Sequence, residues 1–61
     1  MSDLYIQWLD SSGWVTTQVI DNGTKLNGQL ITMAMKDVQA YFPNHRVRAV
    51  DSDGRIVDIL S

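Results

Sequence analysis

Apolar and polar positions alternate from the start of the chain. Leu4, Ile6 and Trp8 fall on one side of an extended segment, and Tyr5, Gln7 and Leu9 on the other, the period of two that marks a half-buried strand. Asp10-Ser11-Ser12-Gly13 follows with the composition of a turn. Trp14 to Ile20 is then rich in β-branched and aromatic residues, which suit a pleated surface. Read as a four-residue loop, Asp10 to Gly13 sets Leu9 against Trp14, Trp8 against Val15, Ile6 against Thr17 and Leu4 against Val19. That register gathers Leu4, Ile6, Trp8, Val15 and Val19 on one face, and a slip of one residue scatters them.

Asp21-Asn22-Gly23 closes this first hairpin, residues 4–20. The period then changes: Leu30, Ile31, Ala34, Met35, Val38, Tyr41 and Phe42 recur at helical spacing, with Gln29, Thr32, Lys36 and Gln39 opposite. The pattern predicts an amphipathic helix over about 27–42, with Asn27 as N-cap and Thr24 as the competing one. Pro43 ends it, because the ring disfavours helical geometry at Phe42 and cannot donate to the ladder. Met35 belongs to the apolar side and Met33 to its border, and both read as packing residues.

Residues 46–60 predict a second hairpin around Ser52-Asp53-Gly54, a three-residue loop with Gly54 in the left-handed position. It pairs Val50 with Ile56, Ala49 with Val57, Arg48 with Asp58 and Val47 with Ile59. A two-residue Asp-Gly loop would instead set Arg48 against Ile59 and Ala49 against Asp58, which mixes the apolar and charged sides. The longer loop fits the pattern better. The order is β-β-α-β-β, an α+β fold in which a four-stranded antiparallel sheet carries one helix packed on one face. A strand order of 2-1-3-4 makes every neighbouring pair antiparallel.

Composition narrows the function classes. The chain has 61 residues, 44% of them hydrophobic and 20% charged, which is the balance of one folded domain rather than a disordered tail. Cysteine is absent and histidine occurs once, so disulfides and thiolate metal sites are excluded and no metal or other cofactor is expected. No apolar run approaches the ~20 residues of a membrane span. Met1-Ser2-Asp3-Leu4 carries neither the basic nor the apolar region of an export signal, so a cytoplasmic location is the expectation. Asn22-Gly23-Thr24 matches the glycosylation sequon, but Asn-Gly reads first as a turn.

Catalysis is not expected. His45 follows Pro43-Asn44 in a loop, and Ser2, Ser11, Ser12, Ser52 and Ser61 lie in turns or at the ends, none within a nucleophile elbow. Asp51-Ser52-Asp53-Gly54 resembles the opening of a calcium loop, yet that loop needs a glutamate six residues after its glycine, and here Leu60 stands there. The net charge of −2 gives no whole-chain attraction for polyanions. His45, Arg46 and Arg48 form a small basic cluster, with Lys36 or Arg55 as neighbours. Together with Tyr5 and Trp14 it makes a weak single-stranded nucleic-acid binder the alternative reading.

The stronger feature is the face that a single helix cannot cover. In these registers the helix lies over Leu4, Ile6, Trp8, Val15, Val19, Val47, Ala49, Val57 and Ile59. Tyr5, Leu9, Trp14, Val50, Ile56 and Leu60 then point the other way, among Gln7, Thr16, Gln18, Arg46, Arg48 and Asp58. Several large apolar side chains on one open face mark an interaction surface, and Trp, Tyr and Arg are the residue types that dominate interface energetics. The expected function is a non-enzymatic interaction module, self-associating as a homodimer or binding a protein partner through that face. Size and acidity suggest a small accessory or inhibitor protein of the kind phages and mobile elements encode.

Overall fold

A computed structural model describes residues 2–60. The elements run β1 (Leu4–Asp10), β2 (Gly13–Ile20), a 3-10 turn (Gly23–Lys25), α1 (Gly28–Tyr41), β3 (Val47–Val50) and β4 (Ile56–Leu60). The four strands form one sheet in the order β2-β1-β3-β4, and every neighbouring pair is antiparallel. β1 and β3 are therefore central, and β2 and β4 are the edges.

Both hairpins turn on the same local chemistry, Asp-Ser-x-Gly. Gly13 takes φ 129° and Gly54 φ 82°, conformations in which a side chain on Cβ is disfavoured. In the second turn the Gly54 N–H donates to the Asp51 carbonyl at 3.0 Å. The Asp51 carboxylate accepts from the N–H groups of Asp53 and Arg55, each at 2.9 Å. The three-residue loop is thus the one formed. The first turn is tighter than its composition suggested, since the strands continue to Asp10 and from Gly13, leaving Ser11 and Ser12 at the tip.

Away from each turn the expected pairing holds for a few residues and then shifts. Leu9 faces Trp14 and Trp8 faces Val15, but a bulge at Thr17 sets Ile6 against Gln18, Tyr5 against Val19 and Leu4 against Ile20. Val19 is thereby moved off the helix side, and Ile20 takes its place beside the core. In the other hairpin Val50 faces Ile56, then a bulge at Val57 sets Ala49 against Asp58, Arg48 against Ile59 and Val47 against Leu60. The expected Arg48–Asp58 pairing is not formed. Ile59 joins the open side, and Leu60 leaves it to pack against the core. One inserted residue reverses every side chain beyond it, because the side-chain period of a strand is two.

Asn27 caps α1: its Oδ1 accepts the Leu30 N–H at 2.9 Å. Thr24 is occupied elsewhere, its hydroxyl donating to the Ser2 carbonyl at 2.8 Å and accepting the Ser2 N–H at 3.0 Å. Ile31, Met35 and Val38 point inward onto Leu4, Ile6, Val47 and Ala49, which are fully buried. Leu30 and Tyr41, expected on the apolar side, are instead exposed, Tyr41 at 83%. Met33 is exposed as well. The helix packs on β1, β3 and β4 rather than on β2. Val15 is accordingly on the helix side yet 37% exposed. No helix among the described residues is long and apolar enough to cross a membrane.

Candidate interaction face

The side of the sheet away from α1 carries three cross-strand rows. The first runs Val19, Tyr5, Val50, Ile56, and the second Thr16, Gln7, Arg48, Ile59. The third is Trp14, Leu9 and Arg46, the last joined through its carbonyl, which accepts the Leu9 N–H at 2.8 Å. Of the residues expected here from the sequence, Tyr5, Leu9, Trp14, Val50 and Ile56 do lie on this side. Leu60 does not, for the reason given by the Val57 bulge. Val50 is buried between its row neighbours Tyr5 and Ile56 and offers little surface. Val19 and Ile59, expected on the helix side, are here instead: Val19 is 52% exposed on the β2 edge, and Ile59 at 44% lies beside Ile56 at 57% on the β4 edge.

The polar middle row is internally bonded. Gln7 Nε2 donates to Thr16 Oγ1 at 3.0 Å, and Arg48 Nε donates to Gln7 Oε1 at 2.8 Å. The Arg48 guanidinium also lies over the Trp14 ring, its Cζ 4.1 Å from the ring centroid, within the range of a cation–π contact. Two strands, β1 and β2, thus hold one arginine of a third in a fixed orientation. The bulge at Thr17 falls beyond Thr16 and leaves this constellation in the expected register.

The basic cluster read from the sequence is divided by the fold. Arg46 and Arg48 share the open face. His45 turns to the helix side, where its ring meets Trp8 edge-on, with centroids 5.0 Å apart. Its Nδ1 lies 2.8 Å from the Leu9 carbonyl; a carbonyl only accepts, so Nδ1 carries the proton. Trp8 in turn stacks on Phe42 at 4.1 Å with the planes 9° apart. His45, Trp8 and Phe42 therefore pin the C-terminal end of α1 to the end of β1. Arg55 is held by Asp53 at 3.0 Å and Asp51 at 3.5 Å, and Lys36 is exposed on α1.

Two of the described serines make local bonds. Ser2 bonds Thr24 through its backbone, and the Ser12 hydroxyl donates to Asp10 at 3.1 Å; Ser61 and Met1 lie outside the described residues. Among the described residues no three metal-ligating side chains converge, and no cavity opens. The chain matches no family model, no curated protein and no solved structure.

Proposed function

We propose that this chain is a non-enzymatic interaction module that works through the open sheet face, by self-association or by binding a protein partner. The observation that carries the reading is a sheet face away from α1 on which Val19 of β2 and Ile56 and Ile59 of β4 are exposed at the two edges, with the Trp14–Arg48 pair joining β2 to β3. Leaving such side chains in water forgoes roughly 25 cal/mol for each Å² that a partner would cover. Four strands ~4.8 Å apart and about five residues long make a face of roughly 19 by 17 Å. At roughly 320 Å² a side this falls below the standard size of a specific interface, and it suits a weak, exchangeable complex and not a permanent one. A small accessory or inhibitor protein is the concrete form of this reading, and the lack of cysteine suits a cytoplasmic setting.

Ile56→Glu tests it, because Ile56 is exposed and the change places on the face a negative charge that opposes both an apolar contact and an acidic partner. Sedimentation of the wild type over a concentration series should show self-association, or capture from the native host should yield a specific protein. Either behaviour should be lost in Ile56→Glu while the circular dichroism spectrum is unchanged. A wild type that neither associates nor captures overturns the reading, as does one whose behaviour survives the substitution.

A further inference from the structure

We infer that the occupant of the open face is an acidic segment of a protein partner, and that Arg48 takes its carboxylate; this rests on reading the face as a contact surface. Arg48 is already oriented. Nε is spent on Gln7 at 2.8 Å, Gln7 is itself bonded to Thr16, and the guanidinium carbon lies over the Trp14 ring at 4.1 Å from its centroid. What remains is the terminal pair of Nη groups, which have no partner among the described residues. Two parallel N–H donors in a fixed plane match the two oxygens of a carboxylate. Because packing already holds the side chain, little rotamer entropy is lost when the anion arrives.

Charge distribution points to the same chemistry. The chain is acidic overall, at −2, yet the strand carboxylates avoid this face: Asp10 and Asp58 alternate to the helix side. Arg46 lies one step along the same side from Arg48, so the face is locally basic. A second copy would bring the same two arginines and no strand carboxylate to meet them, leaving the Nη donors unmatched. A nucleic acid would find a negatively charged molecule, one Trp14 ring face already covered, and His45 on the other side of the sheet. An extended peptide fits better if every second residue runs apolar, acidic, apolar, because those three then share one side and meet Ile59, Arg48 and Ile56 together.

The probe is a Val-Ser-Asp-Ser-Val peptide, acetylated and amidated so that Asp holds its one carboxylate, compared with its Asn-for-Asp counterpart and with oligo-dT, titrated into isotope-labelled protein. The Asp peptide should shift the Arg48 Nε–H and Trp14 indole N–H resonances saturably. Binding should weaken about tenfold or more for the Asn peptide, the scale of one charge-assisted hydrogen bond. Arg48→Lys, which keeps the charge and removes the fork, should weaken the Asp peptide similarly; the Asn comparison needs no variant and stands if Arg48→Lys unfolds. No shift up to millimolar peptide, equal binding of the two peptides, or tighter binding of oligo-dT overturns the inference. If the peptide fails while association sensitive to Ile56→Glu persists, the contact face stands and only the acidic partner falls.

Discussion

Two glycines in turns are required for different reasons, and substitution separates them. Gly54 has φ 82° and open space around the position a Cβ would take, so its constraint is conformational. Gly54→Ala should cost about 1 kcal/mol, and Gly54→Asn less, since asparagine visits the left-handed region more readily. Gly23 has no such φ. A Cβ there would run into the buried Leu4 side chain and meet the Ile20 Cβ at 3.0 Å, an overpacking that should cost about 1–3 kcal/mol for Ala and at least as much for Asn. Urea unfolding of the four variants reads both orders; Asn tolerated at 23 would refute the steric account. The Asn-Gly pair was legible as a turn in the sequence, but it is Asn22 that takes the left-handed conformation, at φ 53°. Composition identifies a turn; it does not say whether a glycine supplies torsion or room.

At the scale of the hairpins, register was legible close to each turn and lost beyond the bulges. Tyr5, Leu9, Trp14 and Ile56 lie on the side that alternation predicts, and of these Leu9, Trp14 and Ile56 pair ahead of the inserted residue. Val19, Ile59 and Leu60 all lie beyond it and all change sides. Nothing in the pattern of β4 announces this, because the regular ladder places Val57 and Ile59 inward and is the more amphipathic of the two. The observed ladder turns Asp58 to the helix side at an edge strand, half-buried, where its carboxylate accepts the Ile59 N–H at 2.8 Å. The two arrangements make opposite predictions. With the bulges, Val19→Lys and Ile59→Lys should each change stability by no more than about 0.5 kcal/mol, as exposed sites do. Leu60→Lys should cost about 1–3 kcal/mol by setting an ammonium against the core. Thermal or urea unfolding checks this, and severe loss at Val19 or Ile59 would restore the regular ladder.

For the molecule as a whole, one thin core has to hold a sheet that is half uncovered. A chain of this length commands about 3–9 kcal/mol of stability at the usual per-residue range. Its buried cluster is small: Leu4 and Ile6 of β1, Val47 and Ala49 of β3, and Ile31, Met35 and Val38 of α1. The strand order follows from connectivity, since β2 must lie outside β1 if α1 is to deliver β3 antiparallel to β1. The helix then centres on β1, β3 and β4, and the Trp8–Phe42–His45 contact holds its far end. Met35 is the helical side chain most deeply enclosed, so Met35→Ala leaves a void bounded by both central strands. The cost expected of such a truncation is about 2–5 kcal/mol, a large share of the total, and a substantial unfolded population should appear at 37 °C in circular dichroism. Met33→Ala, two residues away but on the exposed side, should stay within about 0.5 kcal/mol. If occupation of the open face is the working state, ligand binding should recover part of the Met35→Ala loss, because a ligand that binds only the folded form shifts the equilibrium by mass action. A midpoint for Met35→Ala that rises with Val-Ser-Asp-Ser-Val concentration, and rises much less with the Asn peptide, would tie the core to the arginine face through folding alone.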